Sequence, residues 1–412
     1  MKTFDIPVVY RSKLVSAINT KRKQNDKLKK DFSPTSIKIG KLSFLIARHF
    51  GFCYGVENAI EIAFKTVEEN PGKRIFLLSE MIHNPQVNQD LRKRGVQFIQ
   101  DTLGNAYISW DEIAENDIVI IPAFGTTKET STLLEKKGIN PVEFNTTCPF
   151  VEKVWKRGNQ IGQKGYSLIL HGKPSHEETR ATFSQCANEA PTLIIKNMDE
   201  AVVLSKYIEG KANQDEFNLE FKGRFTIGFS IKNDLQKIGV INQTTMLAED
   251  TQGIANYLKD VISKKFGTSE QDVKTHFADT RDTLCYATND NQQAVKEMLN
   301  HDADLAIVIG GYNSSNTSHL VELCEEKLPT YYIKDASEIK DDLSINHFNF
   351  HKNEMNSTKE FLKKESHKIL ITAGASCPDA IVESVIERIA KLRKESFQLD
   401  EIIDQLNHSP TE

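Results

Sequence analysis

The sequence predicts an α/β protein built from three pseudo-threefold-related α/β domains, and three observations lead there. Short apolar runs recur along the chain, each closed by a small polar loop: "RIFLLSEMIHNP", "DIVIIPAFGTT", "YSLILHGKPSH", "KIGVINQTT", "LAIVIGGYNSSN" and "KILITAGASCPD". Helix-like stretches such as "NQQAVKEML" alternate with them, the pattern of parallel strands covered on both faces by helices. Finally, Cys53, Cys148 and Cys285 each precede an amphipathic helical pattern, in "CYGVENAIEIA", "CPFVEKVWKRGNQI" and "CYATNDNQQAVKEML". His83, His176 and Asn313 follow these cysteines after 30, 28 and 28 residues. This near-equal spacing is an internal repeat.

Taken in order, residues 1–40 form an N-terminal extension, in which the polar basic run "TKRKQNDKLKKDFSP" reads as a solvated linker. Domain 1 is expected over 41–145 with Cys53, domain 2 over 146–282 with Cys148, and domain 3 over 283–392 with Cys285. Each repeat closes on one more strand and polar loop: Gly125-Thr126-Thr127, Gln243-Thr244-Thr245 and Gly374-Ala375-Ser376. A polar stretch at about 336–366 reads as a surface insertion, and the tail 393–412 reads the same way. In open parallel sheets the loops after the carboxyl ends of the strands bind ligands. A threefold plan would bring these loops to one centre.

Composition narrows the chemistry. A net charge of -5 with 26% charged residues offers no general attraction for nucleic acid or an anionic membrane. No signal-like segment opens the chain and no apolar run reaches the roughly 18 residues of a membrane helix, so a cytoplasmic location is expected. Six cysteines without a secretory segment point to thiol or metal chemistry rather than disulfides. Cys186, Cys324 and Cys377 lie outside the repeat and read as ordinary buried small residues.

A helix N-terminus favours thiolate over thiol, so the three repeated cysteines are candidate metal ligands. Structural zinc wants four ligands and commonly CxxC pairs, which the chain lacks. A 4Fe-4S cluster on three cysteines, with one iron open to substrate, fits three widely spaced thiols better. The polar loops then supply His83, Asn84, His176, Glu178, Thr244, the run Asn313-Ser314-Ser315-Asn316, and Ser376. Hydroxyl, imidazole and amide donors beside helix starts suit a phosphate or diphosphate. Glu178 is a lone acid among donors, a candidate proton relay.

The motifs "GFCYGVENAI", "HNPQV", "NTTCPFV", "HEETRAT", "NQTT", "CYATNDNQQAV", "NSSN" and "TAGASCPD" follow one another in the order and character of the LytB-type 4-hydroxy-3-methylbut-2-enyl diphosphate reductases, which end the methylerythritol phosphate route to isoprenoids. The resemblance spans about residues 43–390 and implies a trefoil of three α/β domains around a 4Fe-4S cluster. It implies Cys53, Cys148 and Cys285 as cluster ligands. It also implies His83, His176, Ser314, Ser315, Asn316 and Ser376 around the diphosphate of a small allylic substrate, with Glu178 and Thr244 at the hydroxymethyl end. His176, Glu178 and Thr244 are thereby the candidate catalytic residues.

Two departures stand out. The family's histidine in an "AHG" loop is replaced by Phe124 in "PAFGTT", which removes a donor: either the ring packs against the substrate's carbon end, or the loop is displaced and Thr126, Thr127 or Lys128 takes over the anion. The loop "HGKPSHEETRAT" also offers His171 and Lys173, but only His176 keeps the His-x-Glu spacing with Glu178 and the Thr182 that follows. No GxGxxG follows any strand, so electrons would come from a ferredoxin or flavodoxin. Two other readings stay open at this level: another three-cysteine cluster enzyme of the quinolinate synthase sort, and a zinc-bound scaffold without activity. A substrate panel separates the first, and metal analysis the second.

Overall fold

β-branched residues crowd the six apolar runs, and a strand buried on both faces can be built from such side chains. In the computed structural model, which describes residues 4–28, 30–267, 269–278 and 283–408, they form the strands Ile75–Leu77, Ile118–Ile120, Ser167–His171, Ile238–Asn242, Leu305–Ile309 and His367–Ala373. Every residue of these strands is buried except Lys368. Two compact units divide the chain. One comprises Met1–Glu57, His83–Val87 and Tyr286–Glu412, the other Asn58–Ile82 and Asn88–Cys285.

The first unit holds a five-stranded sheet in the order Thr35–Ile39, Leu42–Ile46, His367–Ala373, Leu305–Ile309, Thr330–Ile333. Only the first pair is antiparallel; Leu42 then lies opposite His367 and Leu305 opposite Ile369 in parallel register. Ile46, Ile307 and Ile371 from the sheet share one core with Val385 and Ile389 of the helix Asp379–Leu392. Because Leu42–Ile46 pairs with His367–Ala373, the segment leading into Cys53 belongs to the C-terminal third of the chain. The expected boundary at 41, with Cys53 heading its own domain, is corrected accordingly. Spacing along the chain cannot reveal a pairing between strands more than 300 residues apart.

The stretches read as a solvated linker, a surface insertion and a tail are all folded. The helix Lys13–Asn25 runs through the start of the expected linker and buries Leu14, Val15, Ile18 and Arg22, while Thr35–Ile39 is the edge strand. The tail forms the helix Leu399–His408, with Ile402 and Leu406 in the same core. The stretch 336–366 carries the hairpin Ile345–Asn349/Glu354–Thr358 and buries Ile339, Ile345, Phe361 and Leu362. In each case a few apolar residues among many polar ones suffice, because they meet apolar partners brought in from distant sequence.

The second unit holds two three-stranded parallel sheets. Their orders are Gln97–Phe98, Ile75–Leu77, Ile118–Ile120 and Thr192–Ile195, Ser167–His171, Ile238–Asn242. Separate cores lie against the second sheet, one around Phe217, Phe221 and Leu258 and another around Val154, Leu170 and Ile241. Cys186, Cys324 and Cys377 are buried as expected, and burial raises their thiol pKa values, to about 12 for Cys186 and Cys324. Among the described residues no helix is long and apolar enough to cross a membrane.

Arg22 is the polar pin of the N-terminal segment. Its guanidinium donates to the carbonyls of Ile46 (2.9 Å), Ala47 (3.0 Å) and Arg48 (2.9 Å), and its Nε to Thr35 Oγ1 (2.7 Å). Burial lowers its pKa to about 9, a sign that the charge is held at a cost offset by these four bonds. Arg22→Met would keep the stem but strand buried carbonyls, each worth about 1–3 kcal/mol. With the desolvation cost of the guanidinium relieved, a net loss of about 2–4 kcal/mol is expected, read as a lower urea midpoint at unchanged slope.

Candidate functional site

Within the first unit, Cys53 directly precedes the helix Tyr54–Glu69, and its amide donates to the Ala375 carbonyl at 3.2 Å. The turn before it needs Gly51: its φ is +77°, and a Cβ there would stand 2.5 Å from Asp379 Oδ1. Around this loop the structure gathers the expected donors. Ser376 Oγ donates to the His83 carbonyl (3.1 Å), and Asn316 Oδ1 accepts from the Ala375 amide (2.9 Å). Ser314 caps the helix Ser315–Glu325 through its hydroxyl, which accepts from the Thr317 amide at 3.2 Å. The neighbouring Ser315 Oγ and Asn316 Nδ2 are buried without a hydrogen-bond partner. Two unsatisfied donors at the first turn of an eleven-residue helix, following the strand Leu305–Ile309, are an arrangement suited by geometry and charge to an anion.

The expected surface insertion supports this same loop. Phe348 of the hairpin stacks on Tyr312 (4.6 Å between centroids, 20°), and Tyr332 donates its hydroxyl to the Gly311 carbonyl. Both contacts hold the backbone just ahead of Asn313-Ser314-Ser315-Asn316.

Within the second unit, Cys148 is the N-cap of the helix Pro149–Gly162 and its amide donates to the Ala123 carbonyl (2.9 Å). This matches the Cys53–Ala375 bond of the first unit. Cys285 immediately precedes the helix Tyr286–Met298. Burial pushes the Cys148 thiol up to about 12, and the charges of Cys285 and Glu178 push the same way against amides of the helix N-terminus. Burial thus outweighs the helix-start amides at Cys148, contrary to the expectation that the helix N-terminus by itself favours thiolate over thiol. Among the described residues no three His, Cys, Asp or Glu side chains converge tightly enough to hold a single ion. An iron-sulfur cluster asks for something different, since its cysteines bind different irons and stand apart.

His176 caps the helix Glu177–Ala187 by accepting the Glu178 amide on Nδ1 at 3.2 Å. That bond assigns the proton of the neutral ring to Nε2. Glu178 is fully buried, and its carboxyl accepts from the Thr244 amide and from Thr244 Oγ1 (3.0 Å). Burial raises its pKa to about 7, against the opposing pull of those two bonds. A carboxyl poised near neutrality can both give and regain a proton. His171, the alternative histidine, is turned to Thr251 (Nδ1 to Oγ1, 2.9 Å).

Phe124 replaces the missing histidine with a packing contact. Its ring meets the His176 ring edge-on, 5.6 Å between centroids at 86°. Gly125 lets the turn close: its φ is +77°, and a Cβ would lie 2.4 Å from the Trp155 ring. Of the substitutes expected from sequence, Thr127 caps the helix Lys128–Lys136 by accepting from the Thr130 amide (3.2 Å), and the Lys128 amide donates to Ser184 Oγ (2.9 Å).

With the geometry described, the comparisons place the chain. A family model described as LytB protein matches residues 44–390. The chain belongs to the LytB family. A Synechococcus relative, named 4-hydroxy-3-methylbut-2-enyl diphosphate reductase, is 38% identical over 359 residues, 87% of each chain. One of the same name from Prochlorococcus marinus subsp. pastoris is 39% identical over 359 residues, again 87% of each. A solved (E)-4-hydroxy-3-methyl-but-2-enyl diphosphate reductase, the terminal enzyme of the non-mevalonate pathway, aligns with TM-score 0.51 at 26% identity, covering 84% of this chain and 99% of that one. The Plasmodium falciparum E-1-hydroxy-2-methyl-but-2-enyl-4-diphosphate reductase shares the fold, with TM-score 0.62 at 22% identity over 87% and 89% of the two chains.

Two residues of this LytB chain escaped the motif reading. Gln243 Oε1 accepts from the Lys173 amide (3.0 Å) and Thr179 Oγ1 (3.0 Å), tying the His176 loop to the Thr244 loop. Its place inside "NQTT" was the available signal. Glu177 is a second buried carboxyl beside Glu178, so Glu178 is not the lone acid of this loop. Ser79 donates to Glu177 Oε1, while Oε2 is buried without a partner. Burial raises its pKa to about 8, above its ordinary value near 4.5. The folded state thus holds a proton that the unfolded chain releases, and stability drains away as pH climbs from about 4.5 through about 8. Glu177→Gln removes that titration. The variant's thermal midpoint should fall less than the parent's between the two ends of this window, a difference on the order of a few kcal/mol.

Proposed function

We infer that this chain reductively removes the allylic hydroxyl of 4-hydroxy-3-methylbut-2-enyl diphosphate, the terminal step of the non-mevalonate route to isoprenoids. Two electrons and two protons enter, the C–O bond breaks, and isopentenyl or dimethylallyl diphosphate leaves with one water. The LytB match across residues 44–390 carries this reading. Cys53, Cys148 and Cys285, each at the start of a helix, are the ligands of one 4Fe-4S cluster. When bound, such a cluster with one iron open supplies electrons singly and a Lewis-acid position for the hydroxyl oxygen.

The chain's own residues do the rest. Ser315 Oγ, Asn316 Nδ2 and the amides opening helix Ser315–Glu325 receive the diphosphate, aided by His83, Ser314 and Ser376. His176 offers Nε2–H to the same anion, its ring braced by Phe124. Glu178 holds the proton delivered to the leaving oxygen, and Thr244 fixes that carboxyl while its own hydroxyl extends the relay. A ferredoxin or flavodoxin donates the electrons.

Anaerobically reconstituted protein, given the substrate and a chemical reductant, should form both C5 products. If it forms neither, the reading fails. Because protonated Glu178 is the required form and its pKa stands near 7, turnover should decline as pH rises through about 7. Glu178→Gln preserves shape and hydrogen bonding but cannot cycle a proton. Its turnover should drop by roughly 10²-fold or more with iron content unchanged, and the decline near neutrality should disappear.

A further inference from the structure

The N-terminal segment precedes the residues matched by the family model, yet it is built directly onto the loop that carries Cys53. The Phe4 ring packs edge-on against Tyr54 (4.9 Å) and Tyr10 against Phe52 (5.9 Å), so aromatic contacts flank the cysteine on both chain sides. Arg11 pairs with Glu57 on the following helix (3.8 Å). At the other end of helix Lys13–Asn25, Arg22 binds the carbonyls of residues 46–48, Asp26 pairs with Arg48 (3.6 Å), and Phe32 packs on His49 (5.4 Å). The segment therefore straddles the approach to Cys53.

Its sequence has a charge opposite in sign to that of the whole chain. Residues 11–30 contain eight Lys and Arg against one acid, Asp26, in a chain whose net charge is -5. Asp26 is spent on Arg48, Arg22 is buried, and Lys21 donates to the Leu406 carbonyl. Lys13, Lys23, Lys27 and Lys30 are left exposed, with Leu28 also open to solvent. None of these four lysines is buried in the core, and Lys23, Lys27 and Lys30 leave exposed positive charge, with an exposed apolar side chain, on the part of the segment clamped to residues 46–49 just ahead of Cys53.

We propose that this face, centred on Lys23, Lys27 and Lys30, is the docking surface for a small acidic one-electron carrier protein that delivers electrons on the Cys53 side. The proposal rests on the reductase reading above, which requires two single-electron deliveries from outside. Electron tunnelling weakens steeply with distance, so a carrier gains by docking where a ligand cysteine lies close beneath the surface. Charge complementarity steers such an encounter and is screened by salt. A nucleic acid would also answer to the lysines, but it gives no reason for the segment to be clamped onto the Cys53 loop.

The test compares parent protein with the variant Lys23→Glu/Lys27→Glu/Lys30→Glu, both cluster-loaded. Turnover is driven either by dithionite-reduced methyl viologen or by an acidic [2Fe–2S] ferredoxin with its reductase, and ferredoxin binding is measured by calorimetry at low and high salt. The variant should keep viologen-driven turnover while its KM and Kd for ferredoxin rise by roughly tenfold or more. The parent's Kd should weaken with salt more steeply than the variant's. Unchanged ferredoxin Kd and KM would overturn the proposal. So would loss of iron or of viologen-driven turnover in the variant, which would make the segment purely structural, or binding of duplex DNA lost in the variant while ferredoxin affinity is untouched. Failure of the parent with viologen would count against the reductase reading, and the calorimetric comparison would still decide the docking surface.

Discussion

Parallel strands buried on both faces must end together, and the loops leaving their carboxyl ends all emerge on one side. That constraint governs both units of this chain. Ile309 and Ala373 are register partners, and the segments after them carry Ser314 to Asn316 and Ser376. His171 and Asn242 are partners in the second unit, and the loops leaving these two strands bring Glu178 to Thr244. Without these registers the donors would be scattered polar residues. With them, each sheet delivers a pair of loops to one edge.

The helix starts then supply what the loops lack. A buried donor at a helix N-terminus gains when an acceptor or an anion completes it, and burial holds a thiol there protonated against the pull of the helix amides. Ser315, Asn316 and Cys148 are left in these states by the protein alone. Glu178 is a third case: the cost of charging a buried carboxyl is balanced against two bonds from Thr244, and the balance falls near neutrality. In all three cases the protein alone leaves a buried polar group with its charge or hydrogen bonding incomplete.

Phe124 and Glu177 show how neighbouring positions support the site without joining it. An aromatic ring in place of a donor packs edge-on against His176. Glu177 and Arg180 hold the first turn of the same helix, through Ser79 and through the Thr102 and Leu103 carbonyls. The first turn of helix Glu177–Ala187 is therefore held by bonds to Ser79, Thr102 and Leu103.

Much of this was legible in the chain alone. The six strands, the helix after each repeated cysteine, the polar loops and the His176–Glu178 spacing all derive from local periodicity and turn chemistry, which act over a few residues. Tertiary structure decided what local patterns do not encode. It assigned the strand before Cys53 to a sheet completed by residues 367–373, turned Arg22 inward, folded the hairpin of 345–358 under Tyr312, and buried Glu177 beside Glu178. In each instance the deciding energy is burial or hydrogen bonding against residues far off in sequence. A polar run such as 11–30 looks the same on paper whether its few apolar side chains find a core or not; here Leu14, Val15 and Ile18 found one, and its lysines became a surface.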